Sequence, residues 1–346
     1  MNLAGKRKAG ASAISRLLKG DQSEPFVVVV VPCYREEAKI GATLAAMPAT
    51  LKRIYVIDDA SPDASAAIVA EAARADPRIQ LIRHPVNRGV GAAIATGYMR
   101  CIEDGVDVAV VMAGDGQMNP DDLPNLLKPV LEGKADYAKG NRFFHTAGLS
   151  GMPRHRLFGN LVLSLLTKIV SGYWHVSDTQ CGYTAINRRA LKAIEWQDLY
   201  PRYGCPNDIL TRLNVGNMRV AEVSVQPVYG PSWASSMKVS RIIWPILGLF
   251  VRLFGFRLYR KYVYLNGHPI VVFYATAALF GLAGLILAAY ILARLLTTGV
   301  LPQSALIIFG IAASATIQLI LGAFTLDYQA NEKLAVFVGD ELASND

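Results

Sequence analysis

Motifs that would assign a function at once are missing from this chain of 346 residues. Its four cysteines show no C-x-x-C spacing, which argues against a disulfide framework or a zinc site and is typical of reduced cytosolic thiols. They are Cys33, Cys101, Cys181 and Cys205. The sequence also lacks GxxxxGK(S/T), and Asn87 to Gly91 supplies only two glycines before Gly97, so G-x-G-x-x-G is absent. A P-loop NTPase and a Rossmann dehydrogenase are therefore disfavoured.

Acidic residues are outnumbered, with 27 Asp and Glu against 35 Lys and Arg and a formal net charge of +8. This balance favours an anionic partner. Because the basic residues form no DNA- or RNA-binding motif, we expect phosphorylated substrates and anionic membrane lipid, and no nucleic acid. The first twenty residues are basic but lack the apolar stretch of a secretory signal, so residues 1–24 are predicted to form a basic cytoplasmic arm.

Short apolar runs alternate with helical segments over the first two thirds of the chain. Strands are predicted at 26–31, 54–57, 79–83, 108–111, 137–139 and 220–228. Helices are predicted at 38–47, 64–75, 92–104, 121–131, 157–170 and 209–213. Alternating strands and helices predict an α/β fold with a doubly wound, mostly parallel sheet.

Polar turns follow several of the predicted strands. Asp58 and Asp59 come after the second strand, and Asp115 and Gln117 come after the fourth. Open α/β sheets bind ligands at the carboxyl ends of their strands, so this clustering predicts a ligand crevice. Asp58 and Asp59 suit contacts to a ribose or base, with helix N-capping as the alternative. Asp115 and Gln117 suit Mg²⁺ or Mn²⁺ shared with a substrate diphosphate, with a plain turn as the alternative.

The last third of the chain contains two stretches without any charged residue, 269–293 and 304–326. Each is long enough to span a bilayer, and a buried soluble hairpin is the alternative. Cations before the first stretch place that side, and the preceding domain, in the cytoplasm by the positive-inside rule. Residues 237–264 mix basic and aromatic side chains, which predicts an interfacial amphipathic helix, or alternatively one packed on the preceding domain.

Six segments together resemble the family 2 glycosyltransferases with a GT-A fold, in particular the branch of dolichol-phosphate mannose synthases and polyprenyl-phosphate glucosyltransferases. The segments are VPCYREE at 31–37, VIDDASPD at 56–63, NRGVGAA at 87–93, GDGQ at 114–117, KGNRF at 139–143 and DTQCGY at 178–183. The resemblance runs from about residue 26 to 229. It implies a GT-A doubly wound, mostly parallel sheet followed by interfacial amphipathic helices and two transmembrane helices.

The resemblance also implies roles for individual residues. Those implied to bind the nucleotide sugar are Pro32, Tyr34, Glu36, Asp58, Asp59, Asp115 and Gln117. Asp115 and Gln117 are the implied ligands of Mg²⁺ or Mn²⁺. Arg142, Arg156 and Asn160 are implied to bind a lipid phosphate, and Asp178 is implied to lie in the sugar pocket. The implied catalytic residues are Asp115, Asp178, Arg142 and Arg156.

Two departures from the family pattern matter for the chemistry, and a third is mild. Ala113 replaces the first acid of the D-x-D motif, which puts the metal dependence in question, and Val90 stands where the family often has lysine. Asn160 stands in place of a serine and keeps a hydrogen-bonding side chain.

The implied enzyme transfers a sugar from a UDP- or GDP-sugar to a polyprenyl or dolichyl phosphate with inversion, at the cell membrane, as a multi-pass protein with a cytoplasmic catalytic domain. We expect a catalytic domain at 25–236, interfacial helices at 237–266, a transmembrane hairpin at 267–328 and a cytoplasmic tail at 329–346. The alternatives are another lipid or lipid-linked glycan acceptor, or a catalytically weakened membrane scaffold, suggested by Ala113. A homo-oligomer is left open.

Overall fold

The computed structural model describes residues 25–144, 154–226, 228, 239–265 and 267–338. At 154–158, 160–161 and 239–243 it describes the backbone alone. The chain divides into two compact units, one comprising residues 1–253 and 333–346 and the other comprising 254–332.

One eight-stranded sheet forms the centre of the first unit. Its strands are β1 (Val27–Cys33), β2 (Arg53–Asp58), β3 (Ile79–Arg83), β4 (Val108–Val111), β5 (Tyr137–Asn141), β6 (Thr184–Asn187), β7 (Val220–Ser224) and β8 (Ala335–Phe337). They lie in the order β3-β2-β1-β4-β6-β5-β7-β8. β6 runs antiparallel to β4 and β5, and the other neighbouring pairs are parallel. The predicted α/β fold with a mostly parallel sheet is therefore confirmed.

Helices and apolar layers cover the sheet on both faces. The helices of this unit are α1 (Ile40–Ala45), α2 (Ser65–Ala75), α3 (Val90–Glu103), α4 (Leu123–Leu131), α5 (Arg154–Ser171), α6 (Arg188–Ala193) and α7 (Cys205–Val215). A further helix, α8 (Val239–Arg257), includes residues of both units. Along β1, Val28 and Val30 enter one apolar cluster, and Val27, Val29 and Val31 enter the other. Burial on both faces explains why this strand is a continuous run of valine instead of an alternating pattern.

Two strands and several boundaries differ from the sequence-based prediction. β6 has only four residues, and β8 has only three, too few for a recognisable period. β8 lies within the segment predicted to be a tail, where it pairs with β7 through Ala221 and Val336. Asn141 is the last residue of β5 and not part of the following turn, and β7 ends at Ser224.

The register brings the polar turns to one edge of the sheet. Parallel neighbours end together, as the partners Cys33 and Asp58 show for β1 and β2. β6 runs the other way, so its first residue, Thr184, pairs with Val111 at the end of β4. The turn before β6 therefore lies at the same edge as the turns after β1, β2, β4 and β5.

The second unit contains a π-helix (Leu258–Tyr264) and two long helices, α9 (Ile270–Thr298) and α10 (Gln303–Asn331). Both long helices are long and apolar enough to cross a membrane, with mean hydropathies of 2.4 and 2.1 over stretches that are only 17% and 11% buried. The core helix of a soluble protein would be mostly buried, so these apolar surfaces fit contact with lipid. The two helices pack closely where Gly281 faces Thr316 and Gly284 faces Ala312.

A cluster of buried polar side chains links the π-helix region to the end of α10. The Arg257 guanidinium pairs with Asp327 at 2.7 Å, and Tyr262 donates to the same carboxylate at 2.5 Å. Lys261 donates to the side chain of Asn331 at 2.7 Å. These side chains are at most 4% exposed, and the charges of Arg257 and Asp327 compensate each other inside the unit.

Candidate active site

The turn after β1 is tied to the turn after β2. Arg35 has a left-handed backbone with φ of 59°, and its N–H donates to the Ser61 hydroxyl at 3.2 Å. The N–H of Glu36 donates to the Ser65 hydroxyl at 2.8 Å. Tyr34 is 40% exposed at this edge, so its ring is available to a ligand. A non-glycine residue held at positive φ is costly and persists only where neighbouring contacts fix it.

Asp58 and Asp59 are buried at 0% and 2% exposure. Asp58 accepts hydrogen bonds from the Ser61 N–H at 3.3 Å and from Arg83 Nε at 3.1 Å. Neither carboxylate caps α2, because the N-cap position of this helix is Ala64, which makes no side-chain hydrogen bond. A direct contact of these carboxylates with a nucleotide stays a prediction, since both already accept hydrogen bonds from the protein.

Asp59 organises the loop that leads into α3. One carboxylate oxygen lies 2.7 Å from His84 Nδ1 and accepts from the Arg88 N–H at 2.9 Å, and the other accepts from the Gly89 N–H at 2.7 Å. Nε2 of His84 lies 3.0 Å from the Thr96 hydroxyl, which anchors the same network to α3.

The glycines of this loop allow two backbone segments to touch. The N–H of Gly91 donates to the Pro201 carbonyl at 2.8 Å. A Cβ at Gly91 would lie 2.2 Å from the Tyr200 carbonyl oxygen, and one at Gly89 would lie 2.4 Å from that of Pro201. The close approach requires glycine at both positions.

Asp115 and Gln117 lie in the turn after β4, and both are partly exposed. The turn is held by the Gly114 N–H, which donates to the Pro32 carbonyl at 3.3 Å, and by the Gln117 N–H, which donates to Asp115 Oδ1 at 3.1 Å. Burial and the charge of Asp115 raise the pKa of Glu36 to about 7. The charges of Glu36 and Asp115 therefore repel each other, and the negative charge that they place at this edge of the sheet suits a cation.

Arg142 and Asp178 form a bidentate ion pair. Arg142 Nε and Nη2 donate to the two carboxylate oxygens of Asp178 at 2.7 and 2.9 Å, and the Arg142 N–H adds a third bond at 3.1 Å. Asp178 is 1% exposed, whereas the Arg142 side chain is 27% exposed. Burial opposes ionisation of Asp178, but the bonds and charge of Arg142 lower its pKa overall. Arg142 therefore presents a cation, fixed in direction, at the sheet edge.

Of the remaining predicted site residues, two are described by their backbone alone and one also by its side chain. Arg156 and Asn160 lie on α5, but their side chains are outside the described part of the chain. Ala113 is partly exposed next to Asp115, and its N–H faces the Met118 sulfur at 3.2 Å.

Several structural partners of the site had no clear signal in the sequence. Lys139 is fully buried on β5 and donates to the Cys181 carbonyl, and Glu222 lies beside it on β7. His84 holds Asp59 from the end of β3. For Glu222 the signal in the sequence was a charged residue within an otherwise valine-rich strand.

Comparisons with known proteins found a matching family and individual relatives. Residues 28–195 match the glycosyl transferase family 2 model. The chain is 28% identical over 220 residues to a UDP-N-acetylglucosamine–dolichyl-phosphate N-acetylglucosaminyltransferase of Methanococcus voltae, covering 60% of this chain and 87% of that protein. It is 29% identical over 231 residues to a polyprenol monophosphomannose synthase of Mycolicibacterium smegmatis, covering 65% and 84%.

A solved structure shows the same fold. Glucosyl-3-phosphoglycerate synthase from Mycobacterium tuberculosis, in complex with Mn²⁺, uridine diphosphate and glucosyl-3-phosphoglycerate, superposes with a TM-score of 0.50 at 17% identity, covering 74% of this chain and 84% of that one. The family match covers most of β1 and all of β2 to β6, and the relatives align over more than 80% of their own length. The chain therefore belongs to the family 2 glycosyltransferases.

Proposed function

We propose that this glycosyltransferase moves a sugar from a nucleotide sugar to a polyprenyl or dolichyl phosphate. The observation that carries the proposal is the Arg142–Asp178 pair, an oriented guanidinium at the edge that also holds Asp115 and Gln117. Guanidinium groups suit phosphate recognition because their donors match its oxygens in a fork. Both curated relatives described above carry names that specify a dolichyl or polyprenol acceptor, which supports the same class here.

The donor half of the crevice fits a divalent cation. Asp115 and Gln117 offer a carboxylate and an amide oxygen, and Glu36 adds a second carboxylate nearby. Hard oxygen donors of this kind suit Mg²⁺ or Mn²⁺, with the rest of the shell supplied by substrate phosphate and water. When bound, the cation would neutralise charge that develops on the departing nucleoside diphosphate.

The acceptor half of the crevice needs no general base. A phosphate monoester already carries negative charge at neutral pH, so the protein has to position it against repulsion from the donor. Arg142 would supply the positive charge, Asp178 would fix its direction, and Arg156 with Asn160 would extend the site from α5. A single in-line attack at the anomeric carbon would break its bond to the diphosphate and invert the configuration.

The second unit suits an acceptor with a lipid tail. In the proposed arrangement α9 and α10 cross the membrane as a hairpin, and their uncharged connection at 299–302 lies outside. Arg252 and Arg260, both exposed, precede the first span, and by the positive-inside rule they support a cytoplasmic location for this end and for the catalytic unit.

The test uses purified protein in detergent with undecaprenyl phosphate, Mg²⁺ or Mn²⁺, and a panel of UDP- and GDP-sugars, with nucleotide release as the readout. Release should need both a particular donor and the lipid phosphate, and Asp115→Ala should abolish it. Asp121→Ala, a carboxylate outside the proposed metal site, is the matched control. Nucleotide release that does not depend on the lipid phosphate, or an α-linked product identified by NMR, would contradict the proposal.

A further inference from the structure

Glu222 is a carboxylate inside the sheet that none of the steps above uses. It lies on β7 opposite Lys139 of β5. The side chain of Lys139 is fully buried. Burial raises the pKa of Glu222 and lowers that of Lys139. A carboxylate in such surroundings is costly unless its oxygens are hydrogen-bonded, so the partners of Glu222 indicate what it does.

The two oxygens of Glu222 connect the two turns that carry Arg142 and Asp178. Oε1 accepts from the N–H groups of Ser177 and Asp178 at 2.7 and 3.0 Å. Oε2 accepts from the side-chain amide of Asn141 at 2.9 Å. The side-chain oxygen of the same amide, Asn141 Oδ1, accepts from the Phe143 N–H at 2.8 Å, which closes the turn around Arg142.

We infer that Glu222 is a positioning residue that sets the direction of the Arg142 guanidinium through these two turns. Its carboxylate fixes the backbone of Asp178 on one side and the side chain of Asn141, just before the Arg142 turn, on the other. Both partners of the ion pair are therefore held by one side chain. Rigid support of this kind decides how well a charged group meets its substrate. The inference rests on the proposed function, in which Arg142 meets the acceptor phosphate.

The structure offers a charge-conserving swap as the test. In Glu222→Gln the amide carbonyl can still accept from Ser177 and Asp178, but its NH₂ meets the NH₂ of Asn141. Turning the Asn141 amide over does not help, because its NH₂ would then face the Phe143 N–H. Adding Asn141→Asp restores an acceptor for the new NH₂ and keeps one that accepts from Phe143, with the total charge unchanged.

In the steady-state assay, Glu222→Gln should lower kcat/KM for undecaprenyl phosphate by about tenfold, as expected for one buried hydrogen bond lost with its donor left unpaired. The KM for the nucleotide sugar should stay within about twofold, because the donor turns are not touched. Asn141→Asp alone should be at least as damaging, since it places two carboxylates together. The double variant should recover most of the activity, and a double variant as poor as the sum of the two single variants would overturn the inference.

A second readout does not depend on the acceptor. Amide hydrogen exchange at Arg142 and Phe143 should be faster in Glu222→Gln and return to the wild-type rate in the double variant. Both N–H groups donate hydrogen bonds that the ordered turn maintains, and these bonds protect them from exchange. Equal exchange in all variants would overturn the inference even if turnover changed. If the wild type shows no lipid-dependent turnover, the proposed function fails, while exchange still decides the role of Glu222. If Glu222→Gln folds poorly, the double variant, which keeps every hydrogen bond, can still be compared with the wild type.

Discussion

Replacing Asp178 by asparagine removes the charge that orients Arg142 and keeps the side chain nearly the same size. Asp178 accepts two side-chain bonds from the guanidinium at 2.7 and 2.9 Å. The amide keeps one acceptor and presents an NH₂ to the other guanidinium nitrogen. Loss of one charge-assisted bond corresponds to roughly 1.5 to 3 kcal/mol, but Arg142 is 27% exposed and water can partly replace the contact. A loss of roughly 1.5 to 2 kcal/mol corresponds to about ten- to thirtyfold in kcat/KM.

The expected result for Asp178→Asn is therefore a ten- to thirtyfold lower kcat/KM for undecaprenyl phosphate, with nearly unchanged affinity for the nucleotide in calorimetry. Asp136→Asn is the matched control. Asp136 is also buried and pairs with arginines, Arg189 and Arg219, but it lies just before β5, at the opposite end of the strand from Arg142. The control should lower Tm without a selective effect on the acceptor. If both variants reduced donor and acceptor use alike, the assignment of Arg142 to the acceptor phosphate would be wrong.

Other perturbations test separate parts of the structure. Without metal or nucleotide, Glu36→Gln should gain Tm over the wild type as pH rises from 5 to 8. The folded-state pKa of about 7 lies above the usual 4.5, so the stability that the protonated Glu36 contributes is lost as pH rises through 7. For a half-buried group the gain is roughly 1 kcal/mol, or about 2 to 4 °C, and a constant difference across this pH range would contradict it. Ala113→Asp should bind Mn²⁺ more tightly in the presence of UDP, because it adds a carboxylate two residues before Asp115. Electron paramagnetic resonance would measure the Mn²⁺ affinity, and an unchanged affinity would show that position 113 lies outside the metal shell. Gly91→Ala should lower Tm by roughly 5 °C, since its Cβ would lie 2.2 Å from a carbonyl oxygen, whereas Gly248→Ala, with open space around it, should not.

The strands with continuous apolar runs were predictable from the sequence. β3 and β4 have the predicted bounds, and β1 and β2 differ by one or two residues at their ends. Burial on both faces requires such runs in β1, β2 and β4, so composition alone marks these three strands. The edge strand β3 is mostly half-buried, and Gln80 interrupts its apolar residues. β6 and β8 were missed because strands of four and three residues show no period, and their pairing depends on partners far away in the chain.

The site was predictable as a set of polar turns but not as a set of contacts. The turns after β1, β2 and β4 follow from parallel topology, since the carboxyl ends of parallel strands share one edge. The Arg142–Asp178 pair joins residues 36 positions apart, and it forms because β6 reverses direction between β4 and β5. From the sequence, Asp59 was predicted to accept hydrogen bonds from a ligand, yet its carboxylate accepts hydrogen bonds from the backbone N–H groups of Arg88 and Gly89. Contacts of this kind need the register of the whole sheet.

The most direct measurement of the central claim is the mass of the lipid product. Wild-type protein and Asp115→Ala would be incubated with undecaprenyl phosphate, a divalent cation and the donor that supports nucleotide release, and the lipid extract would be analysed by mass spectrometry. We expect the wild-type extract to contain undecaprenyl phosphate carrying one added sugar, sensitive to mild acid, and the Asp115→Ala extract to lack it. Unmodified undecaprenyl phosphate alongside released nucleotide, or a sugar on another lipid, would contradict the claim that the lipid phosphate is the acceptor.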